Sequence, residues 1–188
     1  LFSGRLTDLY VSKDSIKTDT IKTVKVVDAK TKDSTNRYFE AFYHVRVFSD
    51  SVQSVCDSLF YSFKDSIFRL YKDPVVWSKE NQVTGDTILL FTKDKKADRF
   101  KVFDNSLLVS KVQAEFFNQI KSLRMDGYLT DGSIDSVRAR GNAECIYYIQ
   151  NEDSSFTGIN QSASDIIDIY FAPDSTGKDK GLRRVVFR

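Results

Sequence analysis

The sequence has few of the residues that an active site or a metal centre usually requires. His44 is the only histidine in 188 residues, which excludes histidine-based catalytic triads and multi-histidine metal sites. Cys56 and Cys145 are the only cysteines, too few for a disulfide-rich scaffold or a four-cysteine zinc site. We expect both thiols to be unpaired, and we expect His44 to have a structural or surface role.

Other functional signatures are missing as well. No segment approaches the run of about 20 apolar residues that a membrane helix needs, and no glycine-rich phosphate loop is present. Asp57, Asp86 and Asp165 lack the spacing of a calcium loop, and we predict that they cap turns. No pair of acidic residues has a spacing that suggests a hydrolase. The sequence therefore predicts a protein that is not an enzyme and that needs no cofactor or metal.

The charge balance argues against nucleic acid as a partner. The chain has 28 Lys and Arg against 26 Asp and Glu, a net charge of +2, whereas nucleic-acid-binding domains are usually strongly basic. Hydrophobic residues make up 41% and charged residues 29%, as in soluble globular proteins. Phenylalanine and tyrosine are abundant, so large apolar surfaces are available for burial.

Short runs of β-branched and aromatic residues, bounded by turn-forming residues, predict strands along most of the chain. The clearest runs are 43–48, 66–71, 87–91 and 99–103, and further strands are expected at 21–27, 145–149, 166–171 and 184–187. One segment differs, because Val109, Val112, Phe116 and Ile120 have helical spacing. It predicts a short helix or a loop excursion over residues 111–117.

The sequence also contains a repeat that is longer than these single runs. Gln53, Gln82, Gln119 and Gln161 each precede a strand-like run, at intervals that vary. An aspartate follows four residues after three of these glutamines, and Leu123 takes that place in the remaining copy. Each unit contains a strand, a turn and a second strand, a pattern typical of stacked antiparallel layers.

Alternation within the predicted strands indicates which side chains face the interior. An interior of this kind is either a sealed core or an apolar groove that could hold acyl chains. The residues predicted to face the interior, and to line the groove if there is one, are Phe68, Leu70, Leu89, Phe91, Phe100, Val102, Ile167 and Ile169.

Five segments, taken in order, carry a resemblance to a known family: YFEAFYHVRVFSDSVQ at 38–53, VCDSLFY at 55–61, KDSIFRLYKDPVVW at 64–77, NQVTGDTI at 81–88 and GNAECIYY at 141–148. Together they are similar to the OstA-like proteins of the Bacteroidota. That family is related to the periplasmic lipopolysaccharide-transport proteins LptA and LptC and to the N-terminal domain of LptD. The resemblance covers about residues 38–171, and residues 1–37 match less clearly.

The resemblance implies a single domain over residues 1–188, an all-β jelly-roll of stacked antiparallel strands whose apolar interior is open at its ends. It implies a periplasmic protein, with association with the outer membrane as a further expectation. The implied ligand is lipopolysaccharide or lipooligosaccharide, and the implied partners are other transport proteins joined through terminal strands, or further copies of the chain. The alternative is an extracellular carbohydrate-binding or adhesin-type β module, with Trp77, Tyr61 and Tyr148 as its candidate aromatic platform.

Overall fold

A computed structural model describes residues 37–49, 52–113, 115–151, 155–173 and 180–188. These residues form an all-β structure in which strands account for 84% of the described residues. This confirms the all-β prediction from sequence. The strands are β1 (Tyr38–Phe48), β2 (Gln53–Ser62), β3 (Ile67–Tyr71), β4 (Val75–Ser78), β5 (Asn81–Thr84), β6 (Thr87–Lys93), β7 (Lys96–Gln113), β8 (Phe116–Thr130), β9 (Ser133–Gln150), β10 (Phe156–Pro173) and β11 (Lys180–Phe187).

The strands form one antiparallel meander. The short strands β3 and β4 both pair with β2, and they lie end to end as one interrupted pass of the chain. In the same way, β5 and β6 form a second interrupted pass, and both pair with β7. Strands β8, β9, β10 and β11 then follow in order, each paired with the strand before it. The chain therefore builds a stack in which each pass is supported mainly by its sequence neighbours.

A bend runs across the stack at one level. Between β7 and β8, the pair Asp104 and Asn105 opposes the single residue Leu123, and both members of the pair have positive φ angles of 56° and 50°. Such two-against-one bulges bend a strand sharply. Equivalent bulges lie at Tyr43–His44 in β1 and at Gly141–Asn142 in β9. Opposite these pairs stand the residues of the Gln-to-Asp repeat, namely Asp57, Leu123 and Asp165, and Asp86 lies at the same level between β5 and β6.

The four repeated glutamines occupy one row across the stack. Pairwise register links Gln53 to Trp77, Trp77 to Gln82, and so on to Gln161. The constant spacing of four residues is therefore the distance along a strand from this row to the bend. The intervals between glutamines vary because the turns and strand ends between them differ in length. The full row is Gln53, Trp77, Gln82, Val109, Gln119, Ile146 and Gln161.

The bend divides the stack into two layers. Layer 1 contains β3, β6 and β11 with the adjoining halves of the long strands, and layer 2 contains β4 and β5 with the other halves. The tips of the two layers are in contact. There the Ser78 hydroxyl of layer 2 donates a hydrogen bond to the Gly132 carbonyl oxygen of layer 1. Each layer buries one face, and the buried residues form a single apolar core between the layers.

The segment with helical spacing is a hairpin, so the expectation of a helix or loop excursion over 111–117 is wrong. Strand β7 continues to Gln113, and β8 begins at Phe116. The residues with helical spacing do not share a face, because Ile120 pairs with the buried Leu108 whereas Val109 pairs with Gln119. The helical period in the sequence is therefore coincidental. The strand predicted at 21–27 lies outside the described residues. The other predicted strands fall within observed ones, except that Ser66, the first residue of the run 66–71, belongs to the turn before β3.

Candidate functional site

Six of the eight residues predicted to face the interior do so. Phe68 and Leu70 on β3 are 3% and 1% exposed, and they lie next to Leu90 and Ile88 of β6. The remaining four are equally buried, at 3% exposure or less, on the inner face of layer 1. They are Phe100 and Val102 on β7 and Ile167 and Ile169 on β10.

The prediction is wrong for Leu89 and Phe91. The buried residues of β6 are their neighbours Ile88 and Leu90, at 0% and 5% exposure. Phe91 instead lies on the outward face, where the guanidinium of Arg99 stacks over its ring at 4.2 Å. The sequence 87–91 is apolar on both faces of the strand, so alternation alone could not decide which face is inside.

The interior is filled where both layers meet at the β1–β3 end. Phe68, Leu70 and Leu90 of layer 1 face Val47 and Val52 across a cavity of only about 10 Å³. That volume is about the minimum for one water molecule. An acyl chain does not fit between these side chains, so this part of the interior is a packed core. Val47 and Val52 were missed from sequence, although the alternation of Val45 and Val47 with polar residues marks the buried face of β1.

The opposite end of the interior is less covered. On the last strand, Leu182 and Val185 are only partly buried although they pack against the core, and Phe187 is 40% exposed. Val185 pairs with the fully buried Ile169, and Phe187 pairs with Ile167. The apolar face of layer 1 therefore continues onto β11 and becomes accessible there.

Among the described residues, the outer edge of β11 has no partner strand, because β11 is the last strand of the stack. Arg188 and Ile166 exchange hydrogen bonds at 2.9 and 3.0 Å, and bonded pairs alternate along antiparallel strands. Val186 therefore directs its backbone N–H toward β10, whereas Val185 and Phe187 direct theirs toward the open edge.

The two thiols are separate and buried. Cys56 and Cys145 are free, and they lie on different strands of layer 2. Burial raises the pKa of Cys56 to about 11 and also raises the pKa of Cys145. At neutral pH both groups are therefore protonated thiols, which are poor nucleophiles. His44 is exposed at the bend of β1.

The three aromatic residues proposed as the platform of a carbohydrate-binding or adhesin-type module do not lie together on one surface. Tyr61 packs against Phe68 with ring centroids 4.3 Å apart, on the inner face. Trp77 lies in the glutamine row of layer 2 and donates from Nε1 to Gln82 at 2.9 Å. Tyr148 belongs to a separate cluster with Phe116 and Phe156, near the end of β9 and the start of β10.

In the described part of the chain, no three His, Cys, Asp or Glu side chains come together as metal ligands would. The same residues contain no helix with the length and hydrophobicity to cross a membrane.

Comparison of the whole sequence with protein-family models finds no match, and comparison with curated proteins finds none either. The resemblance to OstA-like proteins therefore stays a hypothesis, and the fold and its open end carry the functional argument.

Proposed function

We propose that this chain is a non-enzymatic carrier of lipopolysaccharide or lipooligosaccharide in the periplasm, with the jelly-roll fold of the LptA-like proteins. The single observation that supports this proposal most directly is the partly uncovered apolar face at β11. There Leu182, Val185 and Phe187 extend the core toward solvent instead of ending it. Acyl chains gain about 0.8 kcal/mol per buried CH₂, so such a face needs no precise polar site for affinity.

The packing restricts where the lipid is held. Because the interior between β3 and β1 is filled, acyl chains do not pass through the whole stack in this conformation. They lie instead against the β11 end, on side chains that continue the inner face of layer 1. A partner strand added to the open edge of β11 would extend this apolar face and cover the lipid, as strand addition does in other sheets. The partner is another transport component or a second copy of the chain.

Two valines allow a matched test of this lipid site. Val185 and Val186 are both half-buried neighbours on β11, but Val185 pairs with the inner residue Ile169 and Val186 with the outer residue Asp168. We expect Val185→Asn to weaken binding of a fluorescent fatty acid about tenfold, because a polar group then interrupts the apolar face. Val186→Asn should leave that affinity within about twofold of wild type, because its side chain faces away from the lipid.

Lipid identity is tested on protein purified under native conditions. Solvent extraction and mass spectrometry should recover acylated glucosamine lipids from wild type and less from Val185→Asn. If the extract contains no lipid and the protein does not bind the fluorescent fatty acid, the proposal that the chain carries lipid is rejected. Retention of such a lipid-free protein on neutral oligosaccharides would instead favour the carbohydrate-binding alternative.

A further inference from the structure

The outward face of layer 1 between β7 and β11 is strongly basic. It carries seven cationic side chains against four carboxylates, although the whole chain has a net charge of only +2: Asp126 and Asp168 are in register with the cations, and Asp98 and Asp135 lie in bulges beside them. This excess predicts a local positive potential that attracts anions. We call this surface the basic face, and its cations are Arg99, Lys101, Arg124, Arg138, Arg140, Arg184 and Arg188.

One row of the basic face is neutralised internally. Arg138 donates to both oxygens of Asp168, and Arg188 lies 3.3 Å from the same carboxylate. Arg140 and Lys101 lie 3.2 and 3.8 Å from Asp126. Asp126 and Asp168 are therefore both engaged by these four cations. Neither carboxylate forms an ion pair with Arg99 or Arg184.

The neighbouring row combines arginine with tyrosine. Register places Arg99, Tyr128, Ser136, Tyr170 and Arg184 side by side on β7 to β11. Arg99 is stacked over Phe91 and Arg184 over Tyr170, at 4.2 and 4.6 Å. Neither guanidinium forms an ion pair with a described carboxylate, and the buried Nε of Arg99 has no hydrogen-bond partner. Stacking fixes both groups in place and leaves their charges unpaired.

A slot opens at the middle of this row. Ser136 is the one small residue, and the tyrosines on either side of it are two strand spacings apart, about 10 Å. Tyr128 is 51% exposed, and with Ser136, Tyr170 and Arg99 it lines an open depression of about 380 Å³ that extends over the neighbouring row, where the paired Asp126 and Asp168 and their cations also line it. The slot thus has aromatic walls and a small polar floor, and four cations against two carboxylates line the depression around it, with Arg99 in no ion pair with a described carboxylate.

We infer that the basic face binds an acidic sugar, with one pyranose ring between Tyr128 and Tyr170 above Ser136 and its phosphate or carboxylate at Arg99. Aromatic walls suit the apolar C–H face of a sugar ring, and a guanidinium suits a planar carboxylate or a phosphate. Acidic glycans occur both free and as the headgroups of lipids, and the chemistry of the slot is the same for both. This site is on the outward face and does not depend on the apolar interior.

Three variants test the slot. Ser136→Phe fills it without changing charge, Tyr128→Ala removes an exposed wall, and Arg99→Gln removes the unpaired charge. Arg46→Gln is the charge-matched control, because Arg46 is exposed on β1 in layer 2. The probes are glucuronic acid and glucose 1-phosphate, with glucose as the neutral comparison, and binding is followed by NMR titration.

We expect both acidic probes to bind wild type and to shift the resonances of Tyr128 and Tyr170. Ser136→Phe and Tyr128→Ala should lose this response, and Arg99→Gln should weaken it about fivefold to tenfold. Arg46→Gln should match wild type. Titration with detergent-soluble glycolipids that carry the same acidic sugars then distinguishes a lipid headgroup from a free glycan as the natural ligand. A headgroup site should bind the glycolipid more tightly than the free sugar, and a free-glycan site should not.

Three results would overturn the inference. The first is equal binding of glucose and the acidic probes, which would remove the role of charge. The second is unchanged binding by folded Tyr128→Ala, which would remove the slot. The third is an equally strong response to a short single-stranded DNA, which would make the face a general polyanion surface. Loss of fatty acid binding in Val185→Asn has no bearing on any of these results.

Discussion

The side-chain amide of Asn105 donates to both carboxylate oxygens of Asp86, at 3.1 and 3.2 Å. The backbone N–H of Asp86 also donates to the carbonyl oxygen of Asp104 at 3.1 Å. These bonds connect the bulge of β7 to the break between β5 and β6. Two residues on neighbouring strands thus stabilise the bend of the stack. Asn105 has a left-handed backbone conformation on β7, and its partner Asp86 lies between β5 and β6.

Asn105 should be hard to replace with alanine and easy to replace with glycine. Its φ of 50° is costly for residues with a β-carbon, and asparagine tolerates it better than most. We expect Asn105→Ala to lower the free energy of unfolding by about 1–2 kcal/mol. Asn105→Gly keeps the conformation and loses only exposed hydrogen bonds, so its cost should be about 0.5 kcal/mol. Urea denaturation of both variants provides the comparison, and equal losses would mean that backbone strain is not the cause.

Adjacent leucines on β6 test which face is inside. Leu90 is 5% exposed and touches the interior cavity, whereas Leu89 is half-buried on the outward face. Leu90→Ala should cost about 2–5 kcal/mol, because it leaves a hole in packed surroundings. Leu89→Ala should cost less than about 1 kcal/mol. Because the chemical change is identical, a reversed order of the two unfolding free energies would contradict the register of β6.

The sequence predicted the repeat better than it predicted the bend. Gln53 and Gln161 are far apart in the chain, yet their shared context identified equivalent positions in the stack. At Tyr43 and His44 the sequence predicts a continuous strand, because both residue types are common in strands, and the bulge there is not visible from it. Bulges depend on the opposing strand, and a single sequence does not show which residues oppose each other.

The candidate site was predicted only in part for a related reason. Alternation identified Phe68 and Ile167 correctly because polar residues separate the apolar ones there. It failed at Leu89, where both faces are apolar. The slot above Ser136 was not predicted at all, since it requires Tyr128 and Tyr170 to stand two strands apart in the same row. Such lateral rows become visible only when the register is known.

Gly127 should not tolerate alanine. It pairs with Phe100, whose ring lies over it, so that an added Cβ would come within 2.1 Å of a ring carbon. Phe100 is itself buried, and its ring has little room to move. We expect Gly127→Ala to lower the unfolding free energy by about 1–3 kcal/mol.

Gly158 serves as the matched control for Gly127. A Cβ there meets no atom within 4 Å. Gly158→Ala should leave the unfolding free energy unchanged or raise it by up to about 1 kcal/mol, because the unfolded chain loses freedom. Thermal and urea unfolding of both variants measure the difference. A loss at Gly158 as large as at Gly127 would show that the ring contact is not responsible.

Asp168 should stabilise the fold in a pH-dependent manner. Hydrogen bonds from Arg138, with the nearby charge of Arg188, hold the pKa of this carboxyl below its usual range. A carboxyl whose folded pKa is lowered contributes its full stability above the unfolded pKa, near 4. That contribution is lost as the pH falls through the folded pKa.

The comparison is made with Asp168→Asn, which has no titrating group at this position. Wild type should be the more stable protein at pH 7, and the gap between the two unfolding free energies should narrow below about pH 4. Urea denaturation at several pH values from 3 to 7 measures this gap. A gap that stays constant over the range would show that ionisation of Asp168 does not contribute.

The open edge of β11 predicts that strand pairing with a partner can be removed without unfolding the stack. Proline lacks a backbone N–H, and edge strands tolerate it where that N–H points away from the sheet. Val185 directs its N–H to the open edge, so Val185→Pro should leave the β10–β11 ladder intact and block addition of a strand. Val186 directs its N–H to β10, so Val186→Pro should destabilise the ladder itself. The two variants therefore separate pairing from folding.

The measurement combines crosslinking with stability. A photoreactive residue at Arg183, which is exposed on β11, should crosslink wild type to a second copy or to another chain that adds a strand. Val185→Pro should abolish that crosslink while its unfolding free energy stays within about 1 kcal/mol of wild type, as expected for a substitution at an edge. Val186→Pro should lose considerably more stability, because a ladder bond inside the sheet is broken. Crosslinking that persists in a folded Val185→Pro protein would exclude assembly through this edge, and the proposed carrier would then have to act without strand addition at β11.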